Sequence, residues 1–343
     1  RVANGQVIRF AGGLALALLA VFSVAFVLDL SSRFGIAHVV RISPQVKAYL
    51  AGGEAPFLSV YVEVAIAASV ICALASTRAE GRISQRLWLL GALAAVALIY
   101  FSTSRAFILM ALIASLGVLL LVAGAIPRRR LVAGVIAVTL VAALIFVGLG
   151  SVLGKTYGSS TIGQFDNFFS EHPALSSLAL PYEDATASLP ALDLLTHASS
   201  TWGFARGCAS VPIACGVLRK AGVPAPRVPV TGPFTSVPLS WNGYTFLEKP
   251  LLDGGTALAL VLVAIVGLLA GFVWSFARGG SMVGVIVYAI SLPALVAAYR
   301  QNLVELVVVT SIIALAVYLL ARILSDVAAP LAARLQGQDA ASS

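Results

Sequence analysis

A chain of 343 residues in which 60% are hydrophobic and only 10% are charged is far from a water-soluble domain, where about 25% of residues carry charge. Its mean hydropathy of +1.00 makes a bilayer the solvent. The net charge of +8, from 22 Lys and Arg against 14 Asp and Glu, invites a phosphate-backbone partner. The basic residues, however, gather in short connections between apolar runs, where positive charge sets membrane orientation, and no nucleic-acid partner is expected.

A spanning helix needs about 20 largely apolar residues, and eight segments meet that description: 10–28, 57–76, 87–103, 106–126, 131–150, 256–277, 282–299 and 303–323. They recur to the C-terminus, so a cleaved leader does not account for them. Each is long and continuous, whereas barrel strands alternate over about 10 residues. The expected fold is therefore all-α, a polytopic bundle of about eight transmembrane helices. The chain starts at Arg1 rather than a methionine, so a processed or trimmed chain is expected, with room for further helices upstream.

Strict alternation puts Arg78, Arg82 and Arg86, the Arg128 to Arg130 run, Arg278 and Arg334 on one side. The positive-inside rule makes that side cytoplasmic, together with both termini. Trp88 and Trp274 then mark the cytoplasmic ends of their helices, as an interfacial aromatic belt does. The organisation expected is helices 1–5 over 1–150, a large external loop over 151–255, helices 6–8 over 256–323, and a cytoplasmic tail over 324–343. The loop is proline-rich, nearly balanced in charge and contains Trp202 and Trp241. Unstructured connections rarely exceed about 15 residues. Apolar residues at helical spacing, as in 187–197, predict short helices lying on the membrane surface. Cys208 and Cys215 fall in this loop. They form a disulfide only if the compartment oxidises and the geometry allows it.

The residues that stand out are arginines at the external ends of helices. Arg105 sits in a turn of almost no length between two spans, and Arg300 has the same setting between the last two. Taken singly, each can snorkel to lipid headgroups. Two on one side suit a bidentate clamp for a lipid pyrophosphate. Arg206, in Trp-Gly-Phe-Ala-Arg-Gly of the loop, adds a third cation or is simply solvated. Glu63 and Glu305 lie within spans, where a carboxylate is expensive unless paired, so orienting one of the arginines is the role expected of them. No Walker-type loop, His-Glu-x-x-His or Cys-x-x-Cys occurs. With only three histidines, a multi-histidine metal site is not expected. No Asp-x-Asp pair is present either, so neither a metal nor another cofactor is expected.

At Asn242-Gly243-Tyr244-Thr245, followed by Asp253-Gly254-Gly255 opening a glycine-punctuated span, the chain resembles the oligosaccharide repeat unit polymerases, the O-antigen polymerases of the Wzy type. The family pattern there reads approximately Asn-x-Tyr-Thr, then Asp-Phe-Gly, and Gly254 replaces the Phe. Phe101-Ser102-Thr103-Ser104-Arg105 resembles the family's Ser-Arg turn, and Leu180-Pro181-Tyr182 through Trp202-Gly203 the start of its large loop. The resemblance covers roughly residues 87–279, and its order and topology carry more than any one motif.

The resemblance implies glycan transfer at the outer face of a bacterial inner membrane, building O-antigen or exopolysaccharide from undecaprenyl-pyrophosphate-linked repeat units. Its partners would be that lipid-linked oligosaccharide, membrane lipids, a chain-length regulator and a flippase. Pyrophosphate leaves readily once fixed cations stabilise its charge, and Arg105, Arg206 and Arg300 are assigned that role. A general base must take the acceptor hydroxyl proton; Glu248, Asp253 and His197 are candidates, with an N-cap the alternative for Asp253. Trp241, Asn242, Tyr244 and Thr245 are assigned to sugar binding, or in the aromatic cases to anchoring the loop. An O-antigen ligase shares this plan but is expected to carry a histidine just before a late span, and His197 lies too early for that. A transporter or flippase is expected to show matching halves, which this chain lacks.

Overall fold

The computed structural model describes residues 4–51, 57–102, 104–122, 171, 218–224, 248–297 and 304–341. These are almost wholly helical and contain no strand. The helices are α1 (Asn4–Phe34), α2 (Ile36–Val40), α3 (Pro44–Ala51), α4 (Leu58–Thr77), α5 (Arg82–Leu98), a 3-10 turn (Ile99–Ser102), α6 (Arg105–Val122), α7 (Glu248–Arg278), α8 (Met282–Ala297) and α9 (Val304–Ala341). Five segments are long and apolar enough to cross a membrane: Gly5–Phe34, Leu58–Thr77, Arg82–Ser102, Asp253–Arg278 and Leu306–Ala328. Ala106–Val122 and Met282–Leu295 are apolar but shorter. The architecture is that of an all-α membrane protein. The expected span over 131–150 lies outside the described residues, as does nearly all of the loop expected over 151–255.

The chain divides into two units. The first, formed by Arg1–Gly154, Val273–Pro293 and Leu306–Ser343, is organised around α4. Every residue of that helix from Tyr61 to Ser76 is buried, which marks a helix enclosed on all sides. Ala65, Ala67, Ala68, Ser69, Cys72, Ala73, Ala75 and Ser76 are the small residues that let membrane helices approach closely, where no hydrophobic gain drives them together. Helices α1, α5 and α6 pack around α4.

Two contacts fix the direction of these helices. Near the start of α1, Arg9 meets Glu80 of the α4–α5 connection at 2.8 Å. Towards its other end, Phe26 stacks on Tyr61 at 4.5 Å. Helix α4 therefore runs antiparallel to α1. Helix α5 returns beside both, its Trp88 indole seated on Gly12 of α1, where an added Cβ would stand 2.5 Å from the ring. This face of the indole is packed inside the bundle rather than given to the interface alone. On α6, Gly117 approaches Ala289 and Leu292 of α8, and Trp274 of α7 lies against Tyr288 of α8 with ring centroids 4.9 Å apart.

Three helical stretches lie beyond the spans expected from the sequence. The connection expected from Asp29 is helical to Phe34 and then holds the short helices α2 and α3. Ser43 starts α3, its hydroxyl accepting from the Val46 N–H at 3.4 Å, with Pro44 next in the first helical position. The span expected from 256 is preceded by a helical segment from Glu248, broken at Gly254 and Gly255. The tail expected over 324–343 continues α9 as helix to Ala341.

The second unit comprises Lys155–Phe272 and Ala294–Glu305. Its longest described element is the part of α7 up to Phe272.

Candidate functional site

The α5–α6 turn is built by its own serines. Helix α5 gives way at Ile99 to one 3-10 turn, and Ser102 Oγ donates to the Ile99 carbonyl at 2.7 Å. The same oxygen accepts from the Ser104 N–H at 3.4 Å. A short polar side chain that satisfies both a carbonyl and an N–H lets the chain reverse direction without leaving backbone groups bare. Arg105 is then the first residue of α6. Helix starts carry partial positive charge. Helix α6 has no acidic residue in its first turn, so a cationic residue there adds to that charge instead of offsetting it, and the end of the helix favours an anion.

Below the turn lies the start of the central helix. The Tyr61 hydroxyl donates to the carbonyl of Leu98, the last residue of α5. It thereby meets one of the carbonyls that a helix end leaves without an internal partner. Glu63 is two residues further on and only 6% exposed. The sequence marked Glu63 but missed Tyr61, whose signal is a phenol among small apolar residues near a helix start, where it needs a hydrogen-bond partner.

In the second unit, Asp253 is 4% exposed and immediately precedes the break in α7. Gly255 has φ +70° and ψ −164°, a conformation that only glycine takes readily. The break therefore directly follows Asp253, at the very start of the Asp253–Arg278 segment, and sets the carboxylate ahead of the regular helix from Thr256.

Of the residues expected to carry chemistry, the backbone positions of Arg105, Glu248 and Asp253 are described. Arg105 belongs to the first unit, and Glu248 and Asp253 to the second. The side chains of Arg105 and Glu248 lie outside the described set, as does that of Glu305. Arg206, Arg300, His197, Trp241, Asn242, Tyr244 and Thr245 lie outside the described residues altogether, as do Cys208 and Cys215. Among the described residues no three His, Cys, Asp or Glu side chains gather as a metal-binding group. No protein-family model, curated protein or solved structure matches the chain.

Proposed function

We propose that this protein is a membrane glycan polymerase of the outer face of a bacterial inner membrane, with eight spans, cytoplasmic termini and an external loop over 151–255. The observation that carries this reading is the serine-built turn that starts α6 at Arg105, at the end of the bundle where Tyr61 and the buried Glu63 begin α4. A cation at the positive end of a helix is arranged for an anion. In a bilayer the anion at that depth is a lipid phosphate or pyrophosphate. The Arg9–Glu80 bridge supports the orientation, since it gathers Arg9 on the face of the basic α4–α5 connection.

In the proposed reaction an acceptor sugar hydroxyl attacks the anomeric carbon of the lipid-linked glycan. A new glycosidic C–O bond forms, the C–O bond to pyrophosphate breaks, and the lipid pyrophosphate departs with the electron pair. Arg105, with Arg206 and Arg300, stabilises the charge growing on that leaving group. A carboxylate or imidazole, chosen among Glu248, Asp253 and His197, takes the hydroxyl proton.

The test is the size distribution of surface polysaccharide on a gel for wild type, a gene deletion, and the deletion carrying Arg105→Ala at normal abundance. The expected result is a ladder that collapses to a single repeat unit in the deletion and is not restored by Arg105→Ala. Long lipid-linked polymer that never reaches its final acceptor would replace this reading with a ligase, and loss of all external glycan would replace it with a flippase.

A further inference from the structure

We propose that Glu63 is the charge partner of Arg105, a positioning residue that fixes the guanidinium at the start of α6; its bearing on glycan transfer rests on the polymerase reading above. Helix α4 is flanked by α1, α5 and α6. Tyr61 looks into the groove between the first two, stacking on Phe26 of α1 and donating to Leu98 of α5. Eleven residues later, at 3.6 residues per turn, the chain returns to the same face within about 20°. There Cys72 lies against Gly91 of α5, with Leu16 of α1 beside it. One face of α4 is thus committed to α1 and α5 along its length.

Glu63 stands about 200° round the helix from Tyr61, on the opposite side, and the flank left for that side is α6. Side chains of a helix tilt toward its N-terminus. Helix α5 runs back between α4 and α6, so these two are parallel and both begin at the same end of the bundle. The tilt therefore carries the Glu63 carboxylate toward the end where α6 starts, and the residue that starts it is Arg105. A carboxylate enclosed in an apolar bundle is expensive unless a cation or several donors meet it. The start of α6 supplies both, a cationic residue and helix N–H groups free of internal partners.

Thermal unfolding of the purified full-length protein in detergent tests the pair with Arg105→Gln, Glu63→Gln and the double variant. Arg105→Gln strands a buried carboxylate and is expected to lower the apparent Tm on the order of 10 °C. Adding Glu63→Gln is expected to restore most of that loss. Additive losses in the double variant would overturn the pairing. If Arg105→Gln does not fold alone, a folded double variant carries the same information, and failure of both overturns it.

The positioning role is read from turnover of lipid-linked repeat units. Glu63→Gln is expected to lower kcat about tenfold with KM changed less than about threefold, because a loosened guanidinium stabilises the leaving group less well. Glu63→Asp recovers part of the rate. A merely structural residue would change the yield of folded protein and leave kcat per folded molecule untouched, and that result would overturn the positioning role. Restored stability in the double variant alongside a glycan ladder indifferent to every variant would keep the pair and remove the polymerase reading.

Discussion

Ile42 ends α2 with φ +47°, where a β-branched residue is a rare outlier. The hydrogen bonds around it are those of a helix closed by a left-handed residue: the Ser43 N–H reaches the His38 carbonyl at 2.9 Å and the Ile42 N–H reaches Val39 at 3.0 Å. The same pair of bonds closes α7 at Gly280, with the residue type the conformation prefers. At Ile42 the strain is offset by burial, since the side chain is 3% exposed. Ile42→Gly is therefore expected to destabilise less than Ile71→Gly by about 2 kcal/mol, because only the first relieves backbone strain and only the second puts glycine inside a helix. Thermal unfolding of the two variants checks this, and equal losses would argue against strain at Ile42. Tyr61→Phe keeps the stacking on Phe26 and removes the bond to Leu98, so a loss of about 1 kcal/mol is expected in the same assay. None of this was legible beforehand. The α2–α3 region read as a plain connection because a left-handed isoleucine leaves no signature in a sequence, although Ser43-Pro44 is a recognisable helix start.

The five long apolar helices among the described residues were legible, because a run of apolar residues long enough to cross a bilayer is a direct consequence of backbone groups needing internal partners in lipid. Which span is central was not. Hydropathy measures transfer out of water, and a lipid-facing helix and an enclosed one are equally apolar. The distinction lies in side-chain size, and the small residues of α4 carry it. Ala73 is fully buried there, so Ala73→Leu is expected to cost about 1–3 kcal/mol through overpacking. Val21 on α1 is 65% exposed, and Val21→Leu is expected to change stability by less than about 0.5 kcal/mol. Equal effects at the two positions would mean that α4 is not enclosed. The short helix starting at Glu248 also escaped the reading, which placed 248–255 in the loop; Gly254 and Gly255 separate it from the span that opens at Thr256.

At the scale of the whole molecule, alternation along the chain and the Arg9–Glu80 contact agree that the start of α1 and the α4–α5 connection share a face. The pair itself contributes little stability, because Glu80 is 84% exposed and exposed pairs contribute about 0–1 kcal/mol. Its value is topological. Single cysteines introduced at Gly5 and Glu80 are expected to react with a membrane-impermeant thiol reagent from one side only, and one at Val40 from the other. Labelling of all three from one side would break the arrangement of α1 and α4. Of the site, the arginine turn and the in-span glutamate were legible as costly charges in an apolar chain. That the glutamate would orient one of the arginines was expected too; which arginine was not, since it depends on which face of α4 meets which neighbour, and that is decided by packing across the bundle.

The central claim is bond formation between lipid-linked glycans. Its most direct test is to reconstitute the purified protein in lipid vesicles with pyrophosphate-linked repeat units and follow product size and released lipid pyrophosphate together. Products are expected to grow by whole repeat units, one lipid pyrophosphate released per bond, with Arg105→Ala slowing both about a hundredfold or more. Repeat units that stay single, or that cross the bilayer with no pyrophosphate released, would contradict it.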